Sequence, residues 1–362
     1  MTEKLKELNR HINDISKCLN FNTIPWVIAG PCSAESEQQM ISTAQKLVKS
    51  PYIKVFRAGI WKPRTRPNHF EGIGSIGLEW LKKVKAETSL LTTTEVANPH
   101  HVELCLKSGV DILWVGARTT VNPFLVQEIA DVLKGVDIPV LVKNPVSAEL
   151  GLWVGAIERL YNAGVRKIAA IHRGFYTYDE MQYRNSPRWE IPIELKRLFP
   201  NLPLICDPSH ISGDRALIEQ VSQMAMDFGI QGLMIESHID PDHALSDAQQ
   251  QVTPDVLIEM LDRLKIRNAE PTDRELKARI AHLRASISHT DTKIIQALAE
   301  RMKYVEEIGL LKHEHNIPVL QLGRWESLLT DHIAKAQQMG LDSDFIKSVF
   351  ELIHAQSVEK QL

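Results

Sequence analysis

VFRAGIWKPRTRPNHF, residues 55–70, reads as a β-strand from Val55 to Ile60 that empties into a loop carrying Lys62, Arg64 and Arg66. With Arg57 inside the strand, four cations fall within ten residues, interrupted by Pro63 and Pro67. The prolines fix the backbone that presents these charges, so the stretch is no flexible tail. Fixed cations at the mouth of a buried strand suit phosphate and carboxylate groups. Seven further apolar, β-branched runs flank this one: WVIAG (26–30), LLTTTEV (90–96), DILWVGA (111–117), PVLVKNP (139–145), KIAAIHRG (167–174), LPLICDPSH (202–210) and GLMIESH (232–238). Each is a continuous apolar run, as parallel strands covered on both faces require. Segments of helical periodicity lie between them, such as 36–50, 122–135 and 147–164. Eight such units predict a (β/α)8 barrel over 21–264, with its active site at the strand C-termini. A doubly wound sheet would place a Gly-rich phosphate turn after the first strand, and GPCS stands there instead.

Residues 1–20 read as a short amphipathic helix outside this domain. Residues 265–273 read as a polar linker, with a helix start at Thr272 or Asp273. From 274 to 362 only helical periodicity remains: about forty residues to His315, then helices near 323–338 and 343–361. A helix that long suggests packing along a partner chain, so this all-α domain is expected to form a homodimer.

The 362 residues carry a net charge of −3, which gives no reason to expect nucleic acid or a membrane as partner. The four cysteines form no CxxC pair, the N-terminus is polar, and no apolar run reaches the length of a membrane span. A reduced, cytoplasmic protein is the expectation.

The strand ends deliver Cys32, Lys62, Glu95, Arg118, Lys143, His172 with Arg173, His210, and Glu236 with His238. A single strand-end His is more often structural than functional, but polar groups at nearly every strand end are hard to explain as structure. Arg57, Lys62, Arg118, Lys143 and Arg173 would hold an anion bearing phosphate and carboxylate. Cys32, His210, Glu236 and Asp247 offer S, N and O donors, a mixed set suited to Mn2+, Fe2+, Co2+ or Zn2+. Cys32 could equally be a buried apolar thiol.

GPCS (30–33), FRAGIWKPRT (56–65), VGAR (115–118), VLVKNP (140–145), HRG (172–174), DPSH (207–210), IESH (235–238) and LSDAQQ (245–250) together resemble 3-deoxy-D-arabino-heptulosonate-7-phosphate (DAHP) synthase of the short microbial I-beta type. That resemblance implies condensation of phosphoenolpyruvate with erythrose 4-phosphate, the first step toward chorismate. It makes Cys32, His210, Glu236 and Asp247 the ligands of a divalent metal, Mn2+ before Fe2+, Co2+ or Zn2+. It assigns Arg57, Lys62, Arg118, Lys143 and Arg173 to phosphoenolpyruvate, and Lys62, Pro63, Arg64 and Thr65 to the tetrose phosphate. Lys62 lies beside both substrates and is the candidate for proton transfer, with Glu95 or a bound water as alternatives. The related 3-deoxy-octulosonate 8-phosphate synthase carries an Asn-rich variant where this chain has KPRT.

In the tail, Arg284 and Arg301 are seventeen residues apart and Lys312 eleven further, a spacing read as placing all three on one helix face. Cations beside Leu and Ile call for an anion such as a dicarboxylate. LRASISHTDTKIIQALAERMKYVEEIGLLK (283–312) and FELIHAQSVEKQ (350–361) resemble the all-α chorismate mutase. The resemblance implies rearrangement of chorismate to prephenate without a metal. It puts Arg284 from one chain with Arg301, Lys312, Arg324, Ser357 and Gln361 of the other, Lys312 and Gln361 on the ether oxygen. Two positions depart from the family pattern: Gln321 where Asp is common, and Trp325 where Glu follows the arginine. The alternative is a non-catalytic module for dimerisation and prephenate sensing. Control of the barrel by prephenate or chorismate through this domain is a further expectation.

Overall fold

A computed structural model describes residues 3–62, 70–178, 182–267, 271, 273–320 and 322–362. The chain falls into two compact units, Met1–Ala269 and Glu270–Leu362.

In the first unit eight parallel strands close into a barrel in sequence order: β1 (Trp26–Gly30), β2 (Ile53–Arg57), β3 (Leu91–Val96), β4 (Ile112–Val115), β5 (Val140–Lys143), β6 (Ile168–His172), β7 (Leu204–Cys206) and β8 (Gly232–Glu236). The expected (β/α)8 architecture is what the chain adopts. Helices alternate with the strands, and their starts are written locally. Asn98 and Asn122 cap the helices Pro99–Lys107 and Pro123–Val132, each with proline in the first turn.

Alternation along the strands separates two cores. Ile28, Val55, Ile112, Trp114, Leu141, Ala169, Ile171, Ile205 and Met234 fill the barrel lumen. Their neighbours Val27, Ala29, Phe56, Leu113, Val142, Ala170, Leu233 and Ile235 pack outward under the helices. Continuing the inward parity past the last lumen layer reaches Arg57, Glu95, Lys143, Arg173, Asp207 and Glu236. The same pleat that packs the lumen therefore aims an ionisable side chain from six of the eight strands into a common layer.

The expected single N-terminal helix is two, Glu3–His11 and Ile15–Cys18, and they do not stand outside the barrel domain. Leu8, Ile12 and Ile15 are buried, Ile15 against the lumen residues, and the Asn13 amide donates to the Arg166 carbonyl at 2.9 Å. A barrel floor of Trp26 and its neighbours exposes apolar surface that these residues cover. At the other end of the unit, Lys265 and Arg267 remain tied to the helix Ile218–Asp227 through Gln223 and Asp227.

The second unit is three helices, Arg274–Glu314, Leu322–Gln338 and Ser343–Gln361. Asp273 caps the first, its carboxylate accepting from the amides of Glu275 and Leu276. No helix among the described residues is long and apolar enough to cross a membrane.

Candidate active site

A cavity of about 690 Å3 opens at the C-terminal ends of the strands, lined by Glu95, Arg118, Lys143, Arg173, Tyr176, Arg184, Asn185 and His210. Its floor is the inward layer. Arg57 is 1 % exposed and its Nη2 lies 3.1 Å from Glu236 Oε1. Its guanidinium covers the Trp114 ring at 4.9 Å, while Nε and Nη1 are buried without a hydrogen-bond partner. A buried cation with unused donors is prepared for an anion. Lys143 Nζ stands 2.7 Å from Asp207 Oδ2, and burial lowers its pKa against the pull of that carboxylate. Arg173 is anchored by Asn144 and Asn185 at 2.7 Å each. Burial lowers the Arg173 pKa to about 10, which leaves it charged at neutral pH.

Beside these cations lies the donor set. Cys32, Glu236 and Asp247 bring their ligand atoms within 4.8 Å of one another. His210 stands at the edge of this group, its Nε2 3.7 Å from Glu236 Oε1 and its Nδ1 2.9 Å from Asp207 Oδ1. Burial holds the His210 pKa below its ordinary value despite Asp207, so the imidazole is neutral, as a ligand must be. Burial, with Glu236 and Asp247 nearby, pushes the Cys32 thiol up to about 12 against the attraction of Lys62. Burial would raise Asp247, but Arg184 at 3.0 Å holds it well below the carboxylate range. Glu236 Oε1 is buried and, beyond its ion pair with Arg57, accepts no well-formed hydrogen bond. A buried carboxylate oxygen with a lone pair left unused and a protonated thiol beside it both fit a divalent cation at this place.

Local chemistry sets each position. The Ser33–Gly59 bridge prolongs the pairing of β1 with β2 and brings Cys32 against Lys62, whose Nζ lies 3.0 Å from the Cys32 sulfur. Burial would lower Lys62, but Cys32 and Glu236 raise it above the ordinary lysine value, so it is an ammonium. Asp247 has a left-handed φ of 46°, in a loop that returns to β8 through the Ser237–Val252 bridge. Glu35 accepts the Leu245 amide at 2.8 Å and faces His238 Nε2 at 3.4 Å, while the Ser33 and Ser246 hydroxyls bond each other.

Two strand-end histidines therefore do other work. His238 backs Glu35, whose carboxylate holds the Leu245 amide of the Asp247 loop. His172 has outward parity and packs against Phe175 and Trp189, its pKa pushed down to about 3 by burial. Arg118 lines the cavity. Pro63, Arg64, Thr65 and Arg66 lie outside the described residues, as does Gln321. Sequence reasoning missed Asp207, Arg184, Asn185 and Gln250. Arg184 holds Asp247 at 3.0 Å and Gln250 donates to Glu236 Oε2 at 2.7 Å. The inward parity of Asp207, two residues past Ile205, is the signal that would have found it.

In the second unit Arg301 Nη1 donates to the Ser357 hydroxyl at 2.6 Å. Gln361 Nε2 donates to the Ser357 carbonyl, and its Oε1 is buried without a partner. Gly309 lets Gln361 approach, since a Cβ there would lie 3.1 Å from the Gln361 Cα. Lys312 Nζ donates to the Val319 carbonyl at 2.7 Å. Trp325 stacks on His354 with centroids 3.9 Å apart, beside exposed Arg324. Arg284 corrects the expected shared face. At about 100° per residue, Lys312 falls within about 20° of Arg301 but Arg284 is about 100° away. It also lies about 25 Å along the axis from Arg301. Within one chain it does not join them.

The fold and the site define a barrel enzyme whose candidate site sets a group of buried cations beside a cluster of metal-type donors. The family model of the DAHP synthetase I family matches residues 21–269, and that of chorismate mutase type II matches residues 283–362. A phospho-2-dehydro-3-deoxyheptonate aldolase of Thermotoga maritima is 31 % identical over 239 residues, 66 % of this chain and 68 % of the relative. A 2-dehydro-3-deoxyphosphooctonate aldolase of Rickettsia canadensis is 30 % identical over 67 % of this chain and 92 % of its own. The crystal structure of the Thermotoga maritima DAHP synthase superposes with a TM-score of 0.60 at 31 % identity, covering 67 % of this chain and 68 % of that one. The chain belongs to the DAHP synthetase I family, and with its chorismate mutase segment it is a bifunctional enzyme, a transferase joined to an isomerase.

Proposed function

We propose that the barrel condenses phosphoenolpyruvate with D-erythrose 4-phosphate to DAHP and phosphate. The observation that carries this is the convergence of Arg118, Lys143, Arg173 and His210 on one cavity, beside the cluster of Cys32, Glu236 and Asp247 with Arg57 paired to Glu236. Arg57, Arg118, Lys143 and Arg173 would hold the phosphate and carboxylate of phosphoenolpyruvate, leaving C3 free to attack the aldehyde. The same cations retain the phosphate as its C–O bond breaks after water adds at C2. Lys62, an ammonium against Cys32, would move a proton at the aldehyde oxygen. A divalent ion held by Cys32, His210, Glu236 and Asp247 would supply Lewis acidity toward that aldehyde. The octulosonate relatives raise a second acceptor, a longer aldose phosphate, and KPRT at 62–65 supports the tetrose. Chelator-treated enzyme should lose phosphate release and regain it with Mn2+ but not Mg2+. Turnover of a pentose phosphate in preference to erythrose 4-phosphate would reverse the assignment.

The second unit is proposed to convert chorismate to prephenate as a homodimer, a second copy bringing its Arg284 to Arg301, Lys312, Arg324, Ser357 and Gln361. Lys312 and Gln361 would meet the ether oxygen and Arg301 a carboxylate. The Trp325–His354 stack favours the alternative of a non-catalytic sensing module, because it fills the place of an acidic residue in the family pattern. Chorismate loss by the full-length chain, abolished in Arg301→Ala, decides for catalysis. A fall in synthase rate on adding prephenate would support control through this unit, and an unchanged rate would remove it.

A further inference from the structure

Asp207 lies between the two halves of the barrel site and touches both. Its carboxylate is fully buried, with Lys143 Nζ 2.7 Å from Oδ2 on one side. On the other, His210 Nδ1 stands 2.9 Å from Oδ1 and 2.8 Å from Oδ2. The His210 amide donates to Oδ1 at 3.1 Å, and the Asp207 amide donates to the His172 carbonyl at 2.7 Å. The carboxylate is thus fixed from front and back. Its contact assigns the imidazole proton to Nδ1 and leaves Nε2 as the nitrogen facing Glu236 at 3.7 Å.

Resting on the reading of the barrel site given above, we propose that Asp207 is a positioning residue that couples cation binding at His210 to anion binding at Lys143. A cation on Nε2 withdraws density from the ring, so Nδ1–H becomes a stronger donor to Asp207. A carboxylate drawn toward His210 neutralises Lys143 less, and the ammonium has more attraction left for a substrate phosphate or carboxylate. Linkage makes the effect reciprocal: the anion tightens the cation by the same factor. Direct attraction between the two ligands would also couple them, but would not pass through this side chain.

The test is calorimetric titration of the full-length chain with Co2+, with and without saturating phosphoenolpyruvate, following the thiolate-to-cobalt absorption of Cys32. Wild type should bind Co2+ at least about 5-fold more tightly with the anion present. Asp207→Asn should lose about 10- to 100-fold in Co2+ affinity without the anion. In that variant phosphoenolpyruvate should still bind, Cys32 should still give its absorption, and the anion should no longer tighten the metal. Wild-type coupling that persists in Asp207→Asn, or no coupling in wild type while both ligands bind, overturns the proposal. A wild-type complex without thiolate absorption overturns the site reading itself and this inference with it. Should Asp207→Asn fail to fold, Lys143→Gln cuts the other arm. Coupling lost there supports the relay, and coupling retained rejects it.

Discussion

Cys32 has its sulfur 3.2 Å from Asp247 Oδ2 and 3.0 Å from Lys62 Nζ, yet burial pushes its thiol up to about 12. At neutral pH it is therefore protonated until a cation displaces the proton. His210 is already neutral, and Asp247 and Glu236 are held below their ordinary pKa, so neither the imidazole nor the carboxylates release a proton on binding. The sign follows: metal affinity should rise with pH, by about tenfold per unit around neutrality, as one proton is released. Titration in buffers of different ionisation enthalpy should count that proton. Cys32→Ala should abolish both the release and the synthase turnover, while a proton count of zero in wild type would contradict the assignment. In the second unit Arg301 is the corresponding residue, half-buried and bonded to Ser357.

At the scale of elements, the strand pleat sorts the site. Gly30 ends β1 at φ +147°, and a Cβ there would collide with the Arg57 carbonyl on β2. Gly30→Ala should cost about 1–3 kcal/mol in urea unfolding by overpacking. It should also lower synthase activity by moving Arg57; unchanged stability would mean that the strands separate more easily than the geometry implies. The strands themselves were legible because parallel strands buried on both faces read as unbroken apolar runs. Cys32, Lys143, Arg173, His210 and Glu236 were legible because each stands at the end of such a run. Parity along the strand was the signal left unused: it puts His172 outside and Asp207 inside. Arg184, Asn185, Gln250 and the bracing pair Glu35–His238 were not legible. Their loops are placed by non-local bonds, such as the Phe175–Ser186 and Ser237–Val252 bridges, which no local spacing encodes.

For the whole molecule, the long helix Arg274–Glu314 poses the largest question. Among its described residues only Val305 and Gly309 are buried, while Leu283, Ile287, Ile294 and Ile295 are 53–66 % exposed. An apolar stripe of that length on one chain is expected to be covered by a second copy. Leu283→Glu with Ile287→Glu should turn a sedimenting dimer into monomer and remove chorismate turnover, since Arg284 then reaches no partner site. A wild-type monomer that rearranges chorismate would contradict the shared site. The segment 1–20 was legible as one amphipathic helix, but neither as two nor as part of the barrel, because its partners, the floor residues, are assembled only by the closed sheet.

The central claim is that one chain carries two separate active sites, and the most direct measurement is a crossed assay of full-length Arg118→Ala and Arg301→Ala for both reactions. Arg118→Ala should lose at least about 100-fold in DAHP formation and keep chorismate rearrangement. Arg301→Ala should lose at least about 100-fold in rearrangement and keep DAHP formation. A wild-type chain lacking either activity, or one substitution that abolishes both, would contradict it.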